Sequence, residues 1–251
     1  MTLEKLIEES KYVTAFTGAG ISTESGIPDF RSTGTGLYES GKFSGYSPQQ
    51  ILSRRFFSIN KEIFFLFYKE RLHNLLNKKP NRSHCALVKL EEIGKLKAII
   101  TQNIDNLHQT AGSKNVLDLH GNGSKSHCIS CQEKYNYEQF SEMLEKSSVP
   151  RCVCGGIVRP STVLFDESLN DDIYDLSVEF IKESDLIISI GSSLSVMPAA
   201  GLLDYRNKET CKLVIINNTP TMFDKDATLV INENCGDVLE NLIAALWKYH
   251  T

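Results

Sequence analysis

Short, strand-length apolar runs alternate with helix-length segments along most of this 251-residue chain. The runs are rich in β-branched or aliphatic side chains, and they lie at residues 11–17, 97–101, 116–119, 185–190, 212–217 and 227–231. Amphipathic segments such as residues 83–94 and 171–184 separate several of them. Continuous apolar strands that alternate with helices are typical of a parallel sheet covered on both faces. The sequence therefore predicts an α/β fold.

Two segments interrupt this alternation and predict a second, smaller lobe. Residues 32–50 are rich in Gly, Ser and Thr and lead into an apolar helix predicted over residues 56–76. Residues 121–160 carry four cysteines and little periodicity. We expect a discontinuous sheet domain of residues 1–31, 77–120 and 161–251, and a small lobe of residues 32–76 and 121–160.

Charge and hydropathy exclude several classes of partner. A formal net charge of −4 and a pI of about 5.9 argue against direct, sequence-independent nucleic-acid binding, which needs a basic surface. The first residues lack the apolar core of a secretion signal, and the apolar runs are too short to span a membrane. We therefore expect a cytoplasmic protein whose cysteines are reduced unless a metal holds them.

Four of the cysteines form two close pairs, Cys128-x-x-Cys131 and Cys152-x-Cys154, with 20 residues between the pairs. Four thiolates in this pattern match a tetrahedral zinc site that ties together a segment with little core of its own. A disulfide pair is the alternative, but disulfides belong to oxidising compartments. His127 is a further candidate ligand beside Cys128. The pattern predicts one structural Zn²⁺ per chain.

A glycine turn, Gly18-Ala19-Gly20, follows the first predicted strand. Glycines let a backbone bend sharply and approach the pyrophosphate of a dinucleotide. The full dinucleotide fingerprint has Gly or Ala where Thr23 stands, so an ordinary strand-to-helix turn explains these residues equally well.

Polar residues stand at the ends of two successive strands, at residues 101–105 and at His120. Ligands of parallel α/β sheets collect beyond the carboxyl ends of the strands, so these residues are expected to share one site. An imidazole with an ordinary pKa of about 6.5 suits a base at neutral pH. A hydrogen-bonded loop histidine is the simpler alternative for His120 considered by itself.

Taken together, these blocks resemble the sirtuins, the silent-information-regulator family of NAD⁺-dependent protein deacylases. The matching blocks lie in order at residues 18–22, 26–31, 101–105, 119–121, 191–194 and 216–217. The cysteine pairs fall where that family has its zinc module, and the compact chain looks more bacterial than eukaryotic. The resemblance implies an α/β fold with a Rossmann-like parallel sheet domain and a smaller zinc-binding and helical lobe.

The resemblance also implies the residues of the site. Asn103 and Asp105 would shape the nicotinamide pocket beside the catalytic base His120. NAD⁺, as co-substrate, would be bound by Gly18, Ala19, Gly20, Thr23, Phe30, Arg31, Gln102, Ile104, Ser192, Ser193, Asn217, Asp237 and Val238.

The family's mechanism implies an acyl-lysine protein as the partner. Breaking the nicotinamide–ribose bond develops positive charge on the sugar, and a pocket that excludes water favours that step. The acyl oxygen of the substrate lysine is the nucleophile, and His120 takes a proton from a ribose hydroxyl. Water completes the reaction, which releases lysine, nicotinamide and O-acyl-ADP-ribose. Zinc has no part in this chemistry and is structural only.

The chain departs from the family's pattern in two places. Val163 and Phe165 are expected to flank the acyl-lysine, but Asp166 stands where many members carry Gly or another small residue. The Cys152-x-Cys154 pair is also shorter than the commonest spacing. Neither departure touches the predicted base or the nicotinamide pocket.

Tyr68 and Arg71 bear on the acyl group that the site accepts. They lie three positions apart on the predicted helix, so both side chains can face one side of it. A Tyr-x-x-Arg pair here resembles the subgroup that removes succinyl and malonyl groups, with the guanidinium forked onto the acyl carboxylate. Asp29, which stands where that subgroup often has Thr, argues against this role. An interfacial helix with Tyr and Arg at its wet edge is the alternative.

Other functions on the same fold remain open at the level of sequence. They are transfer of ADP-ribose to proteins, simple hydrolysis of NAD⁺, and non-catalytic sensing of NAD⁺. The intact set of Asn103, Asp105 and His120 favours deacylation, because ADP-ribose transfer alone does not require the histidine base.

Overall fold

The computed structural model describes residues 2–29, 43, 45–76 and 78–247. Within these residues the strands form two sheets. The strands are β1 (Val13–Thr17), β2 (Leu96–Thr101), β3 (Val116–Asp118), β4 (Gly121–Cys128), β5 (Lys134–Asn136), β6 (Val158–Thr162), β7 (Leu186–Ile190), β8 (Lys212–Ile216) and β9 (Leu229–Ile231).

The larger sheet has six strands in the order β3-β2-β1-β7-β8-β9, and all its pairings are parallel. Each predicted strand is present with its ends within two residues of the prediction. The chain moves outward from β1 in one direction and then returns to build from β1 in the other, which places a crevice between β1 and β7. This order is that of a Rossmann-like sheet, and it confirms the predicted fold class.

Helices cover both faces of this sheet, and others pack in the hydrophobic cluster under the smaller sheet. They are α1 (Leu3–Glu9), α2 (Pro48–Ile51), α3 (Arg54–Ile59), α4 (Lys61–Leu76), α5 (Arg82–Glu92), α6 (Leu107–Ala111), α7 (Tyr137–Lys146), α8 (Asp171–Glu183) and α9 (Cys235–Trp247), with 3₁₀ helices at Ala19–Ser25, Ala200–Tyr205 and Asp224–Asp226. In the part of the chain that the structure describes, no helix combines the length and apolarity needed to cross a membrane.

The single helix predicted over residues 56–76 is wrong, because the structure divides it into α3 and α4. Asn60 interrupts the helical backbone with φ −128° and ψ 54°. It closes α3 by donating its N–H to the carbonyl of Phe56, and its own carbonyl accepts the N–H of Phe64 in α4. Asn prefers such terminal positions because its side chain competes with helical hydrogen bonding.

The cysteine-rich segment is more regular than the sequence predicts. It contains a three-stranded antiparallel sheet in the order β5-β4-β6, together with α7. The alternation of apolar and polar residues along this segment is weak, because β5 has only three residues and the β4–β6 register shifts between Asn122 and Ser126. The predicted lobe boundary between residues 160 and 161 falls inside β6. The division into two lobes stays a prediction.

Three hydrophobic clusters account for the core. Helices α1, α5 and α9 pack on one face of the large sheet, and α8 with Ala200–Tyr205 packs on the other. Every residue of β1 and β7 is buried, which explains why these strands are apolar throughout. The third cluster lies under the small sheet and is dominated by aromatic rings from α3, α4 and α7.

Candidate active site

A cavity of about 890 Å³ opens at the carboxyl ends of β1, β2, β7 and β8. The loops that follow these strands line it, together with side chains from α4 and from the segment after β6. This is the crevice where parallel α/β sheets bind ligands. The predicted site residues that line the cavity are Gly18, Ala19, Gly20, Thr23, Tyr68, Arg71, Gln102, Asn103, Ile104, Asp105, His120, Val163, Phe165, Ser192, Ser193 and Asn217.

Two of the predicted cofactor residues that the structure describes, Asp237 and Val238, do not line this wall. Phe30 and Arg31 lie outside the described residues. Asp237 instead lies 2.7 Å from the guanidinium of Arg82, and Val238 packs against the hydrophobic core. Helix α9 begins at Cys235, so successive side chains rotate away from the cavity. The wall at this end consists of Asn234, Cys235 and Gly236.

Gly18 and Gly20 allow the turn after β1 to meet the turn after β7. Gly18 donates its N–H to the carbonyl of Ile190 over 3.0 Å, and Gly20 donates to Gly191 over 2.8 Å. A Cβ added at Gly18 would lie 2.8 Å from the carbonyl oxygen of Gly191, and one at Gly20 would lie 2.7 Å from its Cα. Side chains are therefore excluded here, and the two turns form a continuous backbone floor that suits a dinucleotide.

The imidazole of His120 is held in one tautomer. Its Nδ1 lies 2.9 Å from the carbonyl oxygen of Gln102. Because a carbonyl oxygen only accepts, Nδ1 carries the proton and Nε2 keeps its lone pair. Burial lowers the pKa of His120, although the bond to Gln102 opposes this shift. The side chain is therefore neutral at pH 7, as a general base must be.

Asn103 and Asp105 are joined through a residue that the sequence analysis gives no role. Asn103 donates its side-chain amide to the carbonyl of Gly18 over 3.0 Å and to Oγ of Ser22 over 3.2 Å. Ser22 in turn donates to the Asp105 carboxylate over 2.6 Å. Burial raises the pKa of Asp105, and the bond from Ser22 opposes that rise. The sequence signals for Ser22 are its place two residues after Gly20 and its membership of the family-matching block at residues 18–22.

Tyr68 and Arg71 both reach the cavity wall from α4. The Tyr68 ring is fully buried against Phe64 and Phe140. Its hydroxyl is buried, and the side chain of Thr162 is a neighbouring hydrogen-bonding group. Burial raises the pKa of Tyr68 to about 12, and the nearby charge of Arg71 partly offsets that effect. The structure therefore brings the predicted pair together at the cavity.

The segment that follows β6 is held by backbone hydrogen bonds to two other parts of the chain. Val163 donates its N–H to the carbonyl of His120, and Phe165 donates to the carbonyl of Leu52. Asp166 has a φ of 67°, in the left-handed region that favours glycine. Asp is among the few residues other than Gly that adopt such a backbone readily.

The four predicted zinc ligands lie together. The sulfurs of Cys128, Cys131, Cys152 and Cys154 all lie within 4.8 Å of one another; the separation is 3.5 Å for Cys128 and Cys154 and 3.6 Å for Cys131 and Cys152. Zn–S bonds of about 2.3 Å in a tetrahedron place sulfurs about 3.8 Å apart, so this arrangement fits Zn²⁺. All seven cysteines lie in the described residues and are free, which argues against the disulfide alternative. His127 bonds instead to Ser161 over 2.9 Å.

Two histidines without a predicted role form a buried pair beside the site. The rings of His84 on α5 and His108 on α6 have centroids 4.8 Å apart. Burial lowers the pKa of His84 to about 4, and burial together with His84 lowers that of His108 to about 3. The sequence carries no signal for this pair, because the packing of α5 against α6 brings the rings together.

Known proteins are similar to this chain in sequence over nearly its whole length. The sequence model of the Sir2 family matches residues 18–198. An NAD-dependent protein deacetylase of Clostridium perfringens is 48% identical over 244 residues, which cover 96% of this chain and 97% of the relative. One of Clostridium acetobutylicum is 46% identical over 242 residues, which cover 96% of each chain.

Solved structures give the same result. A Sir2 structure with a p53 peptide and NAD⁺ superposes with a TM-score of 0.89 at 39% identity, covering 98% of this chain and 99% of the other. Sir2Tm bound to a propionylated peptide superposes with a TM-score of 0.87 at 40% identity, covering 97% and 96%. The match to the family model, the identity with the relatives and the superposition on the solved structures lead to one conclusion: this chain belongs to the Sir2 family, the sirtuins.

Proposed function

We propose that this protein is an NAD⁺-dependent protein-lysine deacylase with His120 as its catalytic base. The observation that carries the proposal is the orientation of His120, whose Nδ1 is engaged by Gln102 while the ring lies on the cavity wall with Asn103 and Asp105. The names of the bacterial relatives, which are NAD-dependent protein deacetylases at 46–48% identity, support the activity.

The cavity residues fit NAD⁺ in a definite order. Gly18 and Gly20 would accommodate the pyrophosphate on the backbone floor that they form with the turn after β7. This floor needs glycine, because a Cβ at either position would collide with that turn. Asn103 and Asp105 would bind at the nicotinamide end, and Ser192, Ser193 and Asn217 at the adenosine end. When bound, NAD⁺ supplies the nicotinamide–ribose bond whose cleavage is coupled to removal of the acyl group.

His120 would hold and move the proton. Its free Nε2 would accept the proton of a ribose hydroxyl, while the bond from Nδ1–H to the Gln102 carbonyl stabilises the charge that the ring acquires. Val163 is bonded to the carbonyl of His120, so an acyl-lysine lying between Val163 and Phe165 would reach the base without any change in fold. The buried walls would exclude water until the acyl group has been transferred.

The cysteine cluster would hold a structural Zn²⁺. Four thiolates close the tetrahedron and leave no open position for a substrate or water. The cluster joins β4, the turn after it and residues 152–154, a part of the chain where β5 has only three residues. The metal would therefore stabilise this unit and supply no chemistry to the cavity.

Acidic acyl groups are a second class of substrate that one observation favours. The buried Tyr68 shares the cavity wall with Arg71, whose positive charge acts on its hydroxyl. The carboxylate of a succinyl or malonyl group would supply an acceptor to both side chains.

Acyl-lysine proteins as partners and a cytoplasmic location complete the proposal. The related Sir2 structures contain acetylated or propionylated peptides, which supports a peptide segment as the substrate. The net charge of −4 supports the expectation that the chain does not bind nucleic acid directly.

Nicotinamide release separates this function from the alternatives. Purified protein is incubated with NAD⁺, with and without an acetyl-lysine peptide. A deacylase releases nicotinamide only when the peptide is present, and an unmodified lysine peptide serves as the matched control. Release that is equal without peptide would identify an NAD⁺ hydrolase. Binding of NAD⁺ without any release would identify a sensor, and radiolabel from NAD⁺ retained on the peptide would identify a transferase.

A further inference from the structure

A chain of buried hydrogen bonds runs behind the cavity from α6 to the ends of β1 and β2. His108 Nε2 lies 3.0 Å from Oγ1 of Thr17, which donates to Oγ1 of Thr101 over 2.9 Å. The Thr101 oxygen also accepts the backbone N–H of Asn103 over 3.1 Å. Thr17 and Thr101 are register partners in the parallel sheet, so the hydroxyls join the ends of β1 and β2 to α6.

The chain continues through the site and returns to the same helix. The side-chain amide of Asn103 donates to Ser22, and Ser22 donates to the Asp105 carboxylate. The other oxygen of Asp105 accepts the N–H of Leu107 over 2.9 Å. Because Leu107 precedes His108 on α6, these bonds close a circuit. We name it the polar ring; its members are Thr17, Ser22, Thr101, Asn103, Asp105, Leu107 and His108.

The polar ring is shielded from water. Thr17, Ser22, Thr101 and His108 are at most 2% exposed, and Asp105 is 8% exposed. Asn103 is half-buried, and it lines the cavity together with Ser22 and Asp105. A buried bond lost from such a circuit leaves polar groups unpaired, because water cannot take its place. Both hydrogens of the Asn103 amide are donated within the protein, so its oxygen is the atom left for a ligand.

His108 has only one role that fits these bonds. The hydroxyl hydrogen of Thr17 is donated to Thr101, so the Thr17 oxygen must accept from His108 Nε2–H. Burial and the adjacent ring of His84 lower the pKa of His108 to about 3, which keeps it neutral at any working pH. His108 is therefore a permanent donor at the start of the circuit, and it does not exchange protons during turnover.

We propose that His108 is a positioning residue for the nicotinamide end of the NAD⁺ site. It acts through Thr17 and Thr101, which hold the backbone turn at Asn103. That turn orients the Asn103 amide and the Asp105 carboxylate, the two groups that would bind nicotinamide. The proposal rests on the proposed NAD⁺-dependent function and adds to it a residue that does not touch the ligand. It predicts that the loss of this donor weakens nicotinamide binding selectively.

Two variants break the hydrogen bond between His108 and Thr17, one at each of its partners. His108→Leu removes the donor at similar volume, and Thr17→Val removes the hydroxyl while preserving shape. His84→Leu is the matched control, because it deletes the neighbouring buried imidazole, which is not a member of the polar ring. His108→Gln is the rescue variant, since its amide nitrogen can donate to Thr17 from a position close to that of Nε2.

The readouts are the inhibition constant of added nicotinamide and the Kd of ADP-ribose, which lacks nicotinamide. We expect His108→Leu and Thr17→Val each to raise the nicotinamide constant about tenfold, with no further rise in the double variant. The ADP-ribose Kd should stay within about twofold, and His108→Gln should recover most of the loss.

Three results would overturn the inference. They are an unchanged nicotinamide constant in folded His108→Leu and Thr17→Val, an equal loss of ADP-ribose binding, and an equal effect of His84→Leu. A wild-type protein that releases no nicotinamide from NAD⁺ in the presence of acyl peptide would instead contradict the proposed function itself. The two failures are therefore distinguishable within one set of measurements.

Discussion

The backbone N–H of Val163 donates to the carbonyl oxygen of His120 over 2.8 Å. The segment proposed to bind the acyl-lysine is thus tied to the residue proposed to act as base, although 43 positions separate them in the sequence. The imidazole is held independently, through Nδ1, by Gln102. His120 therefore serves substrate placement through its backbone carbonyl and base catalysis through its side chain. A substitution of the side chain can be designed to remove the base and preserve the backbone bond to Val163.

His120→Asn is expected to abolish most deacylation while preserving the local structure. The Asn side-chain nitrogen can still donate to Gln102, but no basic nitrogen remains. Loss of a general base costs about 10²- to 10⁴-fold in rate, so we expect a fall in kcat/KM of this size with an unchanged Tm. The kcat/KM of His120→Ala should fall as far, and this variant also loses the bond to Gln102. A folded His120→Asn enzyme with wild-type turnover would exclude His120 as the base.

Cys128→Ala and Cys152→Ala are each expected to lose zinc. Elemental analysis should give about one zinc per chain in the wild type and almost none in either variant, with activity falling indirectly as the cysteine-rich segment unfolds. Cys85→Ala is the control, because Cys85 is exposed and is not a member of the cluster. A metal-free wild type with an undiminished Tm would contradict the zinc assignment.

Arg71→Met tests the acidic-acyl proposal. A charge-assisted bond to a carboxylate is worth about 1.5–3 kcal/mol, so kcat/KM for a succinyl-lysine peptide should fall about tenfold to a hundredfold. The acetyl peptide of the same sequence should be nearly unaffected. Tyr68→Phe should show the same selectivity with a smaller loss.

Equal losses on both peptides would show that Arg71 supports the fold rather than the acyl group. A wild-type enzyme without succinyl activity would end the acidic-acyl proposal and leave a deacetylase.

Acid should destabilise the protein through its buried histidine pair. The folded-state pKa values of His84 and His108, about 4 and about 3, lie below the value of about 6.5 expected in the unfolded chain. The unfolded chain therefore binds protons that the folded chain rejects. This contribution to stability is intact above pH ~6.5 and is lost as the pH falls toward 4.

For His84 alone the loss is about 3 kcal/mol at pH 4 relative to pH 7. Urea denaturation of the wild type and of His84→Asn at both pH values checks this, because the variant lacks that imidazole and should lose less stability on acidification. An identical loss in both proteins would show that other groups dominate acid unfolding.

The strands were predictable because burial on both faces makes their residues continuously apolar, as in β1 and β7. The small sheet was not, because β4 carries Gly, Ser and Lys and its register is irregular. Sequence blocks located most of the cavity wall, since the carboxyl ends of parallel strands meet at one edge of the sheet.

Other features depend on the three-dimensional packing alone. Asp237 and Val238 turn away from the cavity because α9 has already begun at Cys235. The contact of His84 with His108 depends on how α5 packs against α6, and no local pattern reports it. Ser22 is the opposite case, since its place after the glycine turn was visible but its bond to Asp105 was not.

The balance of products tests the central claim most directly. Purified enzyme is given NAD⁺ and an acetyl-lysine peptide, and nicotinamide, free lysine peptide and acetyl-ADP-ribose are quantified in the same reaction by mass spectrometry. The account predicts that the three products appear in equal amounts and that His120→Asn depresses formation of the lysine peptide and acetyl-ADP-ribose together. Lysine peptide formed without acetyl-ADP-ribose, or nicotinamide released in excess of lysine peptide, would contradict acyl transfer to NAD⁺-derived ADP-ribose.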